Sequence, residues 1–373
     1  MTFVEQLARF EHKLRPFLTK LPPKISTSVF SYGRKAFISL LANDLPDMRP
    51  KIPEKFNTRL WGINFNLPLF NAAGMFKNGE GYYTVARQGA GAFLAGTTTK
   101  LPRIGNQYAY VKHPAAVFQN SGMAVNWMGL PNESHESVAH RIYHLDKIEG
   151  CPIGASVSAD PSQTGLDALQ GIIDGFKVYT KAKVDFLELN ESCPNVEHEH
   201  SAETVNGLDK ALVQRLEYVS QNYLQKRDKL IPVIVKFSND TSPELVPSII
   251  RILVELKYDG VNFGNTSTDY KTLKDSINHK EKQLFDFFTK NIGGGISGRP
   301  LKTTSYALSS LAVETLSTLN PRNEFNVIRT GGIENFDDIE LSIKSGIALN
   351  QWFTGYFESF ARYGHNLYSQ IFK

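Results

Sequence analysis

The sequence contains several short apolar runs, and most of them end in side chains that can bind or react. Two lysines, one cysteine and a set of carboxamides and hydroxyls stand at or just after these ends. They are Asn71, Gly74, Lys77, residues 97–99, Asn190, Ser192, Cys193, Asn195, Lys236, Asn265, Thr266, Gly331, Gly332, Thr354 and Gly355. A carboxamide presents a donor beside an acceptor, which matches the alternating carbonyl and N–H edges of a uracil-like ring or a flavin. We therefore expect a polar site that serves a pyrimidine, a flavin or both.

Cys193 is the candidate base of this site. It lies between Ser192 and Pro194, in a polar stretch rather than in an apolar run. An inert buried thiol is the alternative interpretation. A free thiol has a pKa of about 8.5, so a modest lowering by its surroundings would suit a general base.

Two glycine-rich segments are candidates for phosphate binding. Gly331 and Gly332 follow the seventh apolar run, and residues 293–298 read GGGISG. Bare backbone N–H groups and helix N-termini bind phosphate in the late loops of parallel barrels. A tight turn for the first segment and a flexible linker for the second are the alternatives.

The composition excludes other classes of protein. The chain has 373 residues, of which 41% are apolar and 21% charged, which is typical of a globular domain rather than of disorder or a coiled coil. His198 and His200 lack the spacing that places two imidazoles on one helical face, so we expect a solvated loop and no metal site. Two cysteines, Cys151 and Cys193, favour a reduced, cytoplasmic chain.

The apolar runs alternate with longer segments of helical periodicity, as in βα units. The predicted strands are residues 69–72, 92–96, 153–157, 186–189, 233–236, 260–263, 327–330 and 348–353. Segments 208–224 and 243–256 have helical spacing and are long enough for crossover connections. This pattern predicts an α/β fold, a (β/α)8 TIM barrel over residues 61–373, with its reactive groups at the carboxyl ends of the strands.

Residues 1–60 are predicted to form a helical extension. They hold eleven Lys and Arg against five Asp and Glu. Apolar residues recur there at three- and four-residue spacing, and a second amphipathic segment covers residues 29–41. The first set is Phe3, Leu7, Phe10, Leu14, Phe17 and Leu18, beside Arg9, Lys13 and Arg15. The extension either caps the barrel or rests on an anionic membrane surface.

Other partners and destinations are disfavoured. The longest apolar run, 246–256, is interrupted by Pro247, Ser248 and Arg251, so we expect no membrane-spanning helix. The start of the chain does not resemble a secretory signal. The basic residues are not interleaved with stacking aromatics, so no nucleic-acid partner is expected. We expect a cytoplasmic protein, peripheral on the inner face of the cell membrane if the helices contact lipid.

Eight blocks of this sequence resemble, in order, those of the FMN-dependent dihydroorotate dehydrogenases of pyrimidine biosynthesis. The blocks are 71–80 (NAAGMFKNGE), 96–99 (GTTT), 126–132 (NWMGLPN), 190–195 (NESCPN), 235–236 (VK), 264–267 (GNTS), 294–301 (GGISGRPL) and 331–333 (GGI). A single block is modestly specific, whereas eight in sequence across residues 60–373 are strongly so.

The resemblance assigns roles to residues at the matching positions. It implies that FMN is lined by Ala73, Gly74, Lys77, Thr97, Asn190, Lys236, Gly298, Gly332, Phe353 and Thr354. It implies that dihydroorotate or orotate is held by Lys77, Asn126, Met128, Gly129, Leu130, Asn190, Asn195, Asn265 and Thr266. Lys236 would face the N1/O2 side of the flavin, and Lys77 would pair with the substrate carboxylate. Cys193 would be the catalytic base.

The implied reaction needs one base and one flavin. Cys193 takes the proton from C5 of dihydroorotate while hydride leaves C6 for flavin N5, which gives orotate and reduced FMN. Related flavin barrels that act on another pyrimidine are the main alternative, and a flavin-free binding or scaffold barrel is another.

The family divides by electron acceptor, and this sequence combines features of both divisions. The helical extension and residues 294–301 resemble the membrane-associated, quinone-reducing members, whereas Cys193 and residues 126–132 resemble the soluble ones. Gln119 stands where quinone-reducing members tend to have an arginine, and Ser156 and Gly264 stand where they have an asparagine and a threonine. A quinone is the expected acceptor, with a fumarate-linked soluble enzyme as the alternative.

Overall fold

The protein is described by a computed structural model, which covers residues 1–46, 52–192, 203–205, 207–227 and 229–373. A parallel eight-stranded barrel lies at its centre. Its strands are β1 (Leu69–Asn71), β2 (Phe93–Thr98), β3 (Ile153–Val157), β4 (Phe186–Asn190), β5 (Val233–Phe237), β6 (Gly260–Phe263), β7 (Asn326–Thr330) and β8 (Leu349–Trp352). Each strand lies within two residues of a predicted apolar run, so the predicted (β/α)8 architecture is confirmed.

The strands follow the order β1-β8-β7-β6-β5-β4-β3-β2, and every ladder between them is parallel. The remaining gap, between β1 and β2, is bridged by a side chain. The carboxamide of Asn71 donates to the carbonyl of Leu94 at 2.8 Å and accepts from its N–H at 3.2 Å. Asn71 is fully buried and closes the barrel instead of lining a site.

The strand residues are almost all buried, because helices cover the outside of the barrel and side chains fill its inside. The helices are α1 (Phe3–Leu18), α2 (Pro23–Ala42), α3 (Tyr82–Arg87), α4 (His135–Tyr143), α5 (Gly165–Lys181), α6 (Lys210–Val219), α7 (Val246–Glu255), α8 (Tyr270–Leu273), α9 (Lys282–Asn291), α10 (Lys302–Leu319), α11 (Phe336–Lys344), α12 (Thr354–Tyr363) and α13 (Leu367–Ile371). A π-helical turn, Ser220–Leu224, extends α6. The two predicted crossover helices are therefore present.

Two helices precede the barrel. Helix α1 begins with a capping box in which the Thr2 hydroxyl and the Glu5 carboxylate satisfy backbone N–H groups. Helix α2 begins at Pro23, six residues before the predicted amphipathic segment, because a proline suits the first helical position. Phe3, Phe10 and Phe17 of α1 are 60–69% exposed. None of the helices in the described ranges has both the length and the apolar character required to cross a membrane.

Short antiparallel pairs complete the fold at both ends of the barrel. A hairpin of Thr58–Leu60 and Ile63–Phe65 closes the amino end, where Phe65 packs between Trp61 and Phe186. Above the other end, Ala115–Phe118, Met123–Asn126 and Gly295–Gly298 form a three-stranded sheet. The glycine-rich segment 293–298 is therefore largely a strand, and its interpretation as a flexible linker is wrong. Backbone pairing with residues 123–126 provides the order that its composition does not reveal.

Candidate active site

A polar cleft opens at the carboxyl ends of the strands, as expected for this barrel. It has an empty volume of about 1030 Å³, including the part open to solvent. The predicted site residues that line it are Ala73, Gly74, Lys77, Thr97, Asn126, Met128, Gly129, Leu130, Asn190, Lys236, Asn265, Thr266, Gly298, Gly332, Phe353 and Thr354. Cys193 and Asn195 lie outside the described residues, as do His198 and His200. Within the described residues, the structure thus brings together in one cleft all the positions to which the resemblance assigns FMN or substrate binding.

One wall of the cleft is made of backbone. Gly298 has φ +109°, and a Cβ there would lie 2.2 Å from the carbonyl oxygen of Gly122. A Cβ on Gly332 would lie 2.4 Å from the backbone of the first residue of α10. Thr354 is the first residue of the ten-residue helix α12, and its hydroxyl lies 2.9 Å from that of Ser297. Glycine backbone from two loops and a helix N-terminus thus line the same cleft, and this combination can bind a phosphate.

The floor of the cleft contains Lys236, on β5. The residue is 2% exposed. Burial lowers the pKa of its ammonium group below the ordinary value, while the negative charge of Glu188 acts in the opposite direction. Its Nζ lies 3.2 Å from Oε1 of Gln351 and 3.8 Å from Oε1 of Glu188. The cleft therefore has a buried cation at its base.

The carboxamides connect the loops that follow three strands. Asn190 donates to the hydroxyl of Thr97 at 2.9 Å and accepts from the hydroxyl of Ser192 at 3.0 Å. Asn265 donates to the carbonyl of Ser192 at 3.1 Å. These bonds fix Asn190 and Ser192, the described residues that precede Cys193 in the sequence. Thr266 Oγ1 is buried in the cleft wall without a hydrogen-bond partner among the described residues, so it remains available to a ligand.

Two sequence departures have structural explanations. Gly264 has φ +132°, and a Cβ there would lie 1.5 Å from the carbonyl oxygen of Thr330, so the backbone excludes threonine at this position. Ser156 lies within the barrel, 2.9 Å from Thr97 and 3.2 Å from Glu188. It is therefore part of the polar network beneath the cleft.

The residues around the cleft also differ from expectation in places. Of the predicted polar rim, Thr98 and Thr99 point away from the cleft, and Thr98 bonds to His135 and Tyr179 behind β2. Lining residues that were not predicted as site residues are Ala72, Gly122, Ser297, Arg299, Leu301, Thr330, Ile333, Glu334, Trp352 and Glu358. Ser297 and Arg299 lie within the 294–301 block, and Glu358 lies one helical turn after Thr354. These lining residues could therefore have been predicted from their place in the 294–301 block, or from their spacing of one helical turn from Thr354.

A second cavity, mostly apolar, lies between the two N-terminal helices and the small sheet. It has an empty volume of about 1360 Å³, including the part open to solvent. Its lining residues are Leu7, Ala8, Glu11, Arg15, Leu18, Val29, Phe30, Gly33, Arg34, Ala36, Phe37, Ala115–Val117, Ala124–Asn126, Met128, Ser297, Phe353, Thr354, Phe357 and Glu358. Asn126, Met128, Ser297, Phe353, Thr354 and Glu358 line both spaces. The apolar cavity therefore adjoins the polar cleft.

A cluster of charged side chains lies where the two spaces meet. Arg15 binds Glu11 at 2.7 Å and also forms an ion pair with Glu358. Burial opposes its charge, but the hydrogen bond with Glu11 and the charge of Glu358 raise the pKa of Arg15 above its ordinary value. His12 Nε2 lies 3.0 Å from Glu358 and 3.1 Å from the Gln119 amide. Gln119 therefore belongs to this cluster.

Arg34 also lines the apolar cavity, but its surroundings differ from those of the ion-paired Arg15. Its Nε is buried and has no hydrogen-bond partner among the described residues. Burial alone lowers the pKa of Arg34 to about 10. A guanidinium in this setting can donate to a polar atom of a ligand inside an otherwise apolar cavity. Among the described residues, no three His, Cys, Asp or Glu side chains are grouped so that they could hold a metal ion.

Comparison with known proteins gives one consistent family. The family model described as dihydroorotate dehydrogenase matches residues 55–367. A dihydroorotate dehydrogenase (quinone) of Haemophilus ducreyi is 28% identical over 295 residues, which are 79% of this chain and 80% of that protein. One from Kineococcus radiotolerans is 27% identical over 358 residues, covering 92% of this chain and 89% of that protein.

The fold has solved counterparts. The crystal structure of an Eimeria tenella DHODH in complex with ferulenol has a TM-score of 0.74 and 20% sequence identity, and covers 91% of this chain and 89% of that one. The ligand-free Eimeria tenella enzyme has a TM-score of 0.72. These two likenesses concern the fold. Together with the family match over residues 55–367, the site's position at the carboxyl ends of the strands leads to one conclusion: this chain is an oxidoreductase that belongs to the dihydroorotate dehydrogenase family.

Proposed function

We propose that this chain oxidises dihydroorotate to orotate with FMN bound in the polar cleft, and that a quinone entering the apolar cavity accepts the electrons. One observation carries the proposal: the polar cleft and the apolar cavity are adjoining and share lining residues, including Thr354 and Phe353. A water-soluble substrate can thus reach the proposed flavin site through the polar cleft, and an apolar acceptor can reach it through the apolar cavity.

The cleft fits FMN. The backbone wall at Gly298 and Gly332 leaves no room for side chains, and the start of α12 at Thr354 supplies a helix N-terminus for the phosphate. Lys236 supplies a buried cation for the N1/O2 side, where reduction increases negative charge. When bound, the flavin provides a two-electron acceptor for hydride. Ala73, Gly74, Lys77, Thr97, Asn190 and Phe353 complete the proposed FMN site.

The remaining polar residues suit dihydroorotate. Lys77 is a compact cation that can pair with the substrate carboxylate. The carboxamides of Asn126, Asn190 and Asn265 can bind the alternating edge of the pyrimidine, together with Asn195 and Thr266. Residues 128–130 close one side. Cys193, three residues after Asn190, would remove the C5 proton, which is the only proton that the protein itself must take from the substrate carbon skeleton.

The apolar cavity supports a quinone as the acceptor. Its walls are mainly aliphatic and aromatic, and Arg34 offers a donor to a carbonyl oxygen. The relatives from Haemophilus ducreyi and Kineococcus radiotolerans are named as quinone enzymes. A fumarate-linked enzyme is the second candidate, because Cys193 and residues 126–132 resemble the soluble members and Gln119 replaces the arginine that quinone-reducing members tend to have.

The N-terminal helices would bring the enzyme to lipid. Phe3, Phe10 and Phe17 are exposed next to Arg9 and Lys13, so α1 can rest peripherally on an anionic membrane surface from the cytoplasmic side. We propose residues 1–60 as this membrane and quinone-site element and residues 61–373 as the FMN barrel. The boundary passes through the hairpin beneath the barrel.

The flavin content of the purified protein, followed by anaerobic titration with dihydroorotate, tests the core of this proposal. We expect yellow protein whose flavin absorbance is bleached by one equivalent of dihydroorotate. Colourless protein that takes up no added FMN would refute the cofactor. Bound FMN that dihydroorotate does not reduce would favour a different pyrimidine as the substrate.

A further inference from the structure

Glu188 and Lys236 form a buried ion pair inside the barrel. Glu188 lies on β4 and Lys236 on the neighbouring strand β5. The side chains are 1% and 3% exposed, and Glu188 Oε1 lies 3.8 Å from Lys236 Nζ. Lys236 reaches the cleft, whereas Glu188 lies beneath it and is absent from the cleft lining. The carboxylate can therefore act on a ligand in the cleft only through its neighbours.

Neutral donors from three other strands hold the Glu188 carboxylate in place. Ser156 of β3 lies 3.2 Å from Oε1. Asn262 of β6 and Gln351 of β8 donate to Oε2 at 3.0 and 2.8 Å. A carboxylate that receives this many hydrogen bonds has little freedom to move. The network therefore fixes a negative charge beside Lys236.

The groups around Lys236 are otherwise neutral. Gln351 Oε1 accepts from its ammonium at 3.2 Å, and Thr330 of β7 donates to the same oxygen at 3.1 Å. Among the described residues, Glu188 is the carboxylate that lies within 4 Å of the Lys236 ammonium. Other charged side chains line the cleft farther away, namely Lys77, Arg299, Glu334 and Glu358. Arg329 of β7 bonds to Ser305 and Ser342 behind the strand. Burial lowers the pKa of Lys236, and the charge of Glu188 is what raises it. Glu188 is therefore the group that favours the charged form of this lysine.

Stability alone does not explain such a pair. A buried ion pair gains little over apolar residues of similar volume, because the cost of desolvation is close to the Coulombic gain. The interior of a (β/α)8 barrel is ordinarily filled by apolar side chains. Here the pair lies at the layer of the barrel that faces the cleft, which points to a role in the site.

We propose that Glu188 is a positioning residue that keeps Lys236 protonated and directed into the cleft, so that the flavin site of the proposed function is provided with an ammonium and not with a neutral amine. The site then takes up only the proton that the flavin itself binds on two-electron reduction. If Lys236 were neutral, reduction would also transfer a solvent proton to its amine, because the new negative charge favours the ammonium form.

The direct test is an NMR titration of the lysine Cε and Nζ signals in the purified protein, with Lys236 assigned through Lys236→Met. Glu188→Gln keeps the size of the side chain but removes its charge, and we expect the neutral fraction of Lys236 near pH 8 to rise roughly tenfold or more. Glu188→Asp retains the charge and should restore most of the protonation. An unchanged titration of Lys236 in Glu188→Gln would overturn the proposal, and this result does not depend on flavin.

Asp259→Asn provides the matched control. Asp259 is also a buried carboxylate in an ion pair, with Arg227 at 2.8 Å, but it lies at the opposite end of the barrel. We expect it to affect stability without changing Lys236. If Glu188→Gln does not fold, the titration of Lys236 in wild type decides: an ammonium form that persists from pH 6 to pH 8 supports the proposal, and a neutral amine at pH 7 contradicts it.

A second measurement uses the bound flavin without any turnover. The pH dependence of its midpoint potential counts the protons taken up with two electrons. Wild type should take up one proton across neutral pH, whereas Glu188→Gln should approach two above the new pKa of Lys236. Equal proton counts in both proteins would contradict the role of Glu188. Wild-type protein without flavin would instead contradict the proposed function, and the NMR titration would still decide the role of Glu188.

Discussion

The hydroxyl of Ser297 lies 2.9 Å from the hydroxyl of Thr354, at a position where both residues line the polar cleft and the apolar cavity. Ser297 belongs to the small sheet above the barrel, and Thr354 begins helix α12. This contact joins the two elements that separate the proposed flavin site from the proposed quinone site. Electrons would therefore have a short path between the two ligands, while dihydroorotate and quinone need not enter by the same opening.

Filling the apolar cavity should impair the quinone reaction alone. Gly33 lines the cavity on the same face of α2 as Phe30 and Phe37, and a Cβ there would meet no atom within 4 Å. We expect Gly33→Phe to retain FMN and a near-normal rate of reduction by dihydroorotate but to lower quinone turnover at least tenfold. Steady-state and stopped-flow rates measure both quantities.

The control is Gly33→Ala, which adds little volume. It should keep most of the quinone turnover and stabilise α2 by about 0.5–1 kcal/mol, because alanine loses less conformational freedom than glycine on folding. Unimpaired quinone turnover in Gly33→Phe would place the acceptor elsewhere.

Removal of the cysteine base should slow the reduction of the flavin. We expect Cys193→Ala to bind FMN normally and to be reduced by dihydroorotate about 10²–10⁴-fold more slowly, as for the loss of a positioned base. Cys193→Ser should retain part of the rate, with its pH profile displaced upward because a hydroxyl is less acidic than a thiol. Stopped-flow absorbance measures these rates, and an unchanged rate in the alanine variant would exclude Cys193 as the base.

Arg34 should lower the free energy of unfolding of the protein and contribute to the binding of the acceptor. Its buried Nε has no partner within the described residues, so Arg34→Met should raise the free energy of unfolding by about 1–3 kcal/mol at neutral pH. If Arg34 donates to a quinone carbonyl, the same variant should raise the KM for quinone with little change in the rate of flavin reduction. The adjacent, exposed Lys35 offers a control, since Lys35→Met should change neither quantity. Lower stability of Arg34→Met would indicate a protein partner for the guanidinium.

The barrel should lose stability in mild acid through His135. Burial lowers the pKa of His135 to about 4, and the imidazole lies 2.8 Å from the hydroxyl of Thr98. The unfolded chain binds this proton near pH 6.5, so the folded state loses stability as the pH falls from about 6.5 to 4, by roughly 3 kcal/mol at most. Urea unfolding of wild type and His135→Gln at several pH values should give a difference that shrinks over this interval. A pH-independent difference would mean that His135 is not the titrating group.

The barrel strands could be predicted because a strand that is buried on both faces must be a short apolar run. The polar residues that can bind ligands stand directly after these runs. The eight runs from residue 69 to residue 353 therefore coincide with β1–β8. Each strand of the small sheet has only four residues, and residues 295–298 become a strand by pairing with residues 123–126, which are distant in sequence. No local pattern reports such pairing.

The cleft was likewise easier to predict than the cavity beside it. The lining of the cleft follows from motifs that stand at strand ends, whereas the apolar cavity is formed by α1, α2 and residues 115–126, which are brought together only by tertiary packing. The carboxylate of Glu188 is a further example. It lies inside an apolar run at 186–189, and its partner on β5 is 48 residues away in sequence, so the ion pair appears only in three dimensions.

Double-mixing stopped flow follows both halves of the proposed reaction, the transfer of electrons from dihydroorotate to the flavin and from the flavin to an apolar acceptor. The flavin is first reduced anaerobically with dihydroorotate and is then mixed with ubiquinone, menaquinone, fumarate or NAD while its absorbance is followed. We expect complete reduction by dihydroorotate and fastest reoxidation by a quinone. Reoxidation by fumarate or NAD that is as fast as, or faster than, reoxidation by either quinone would contradict this expectation.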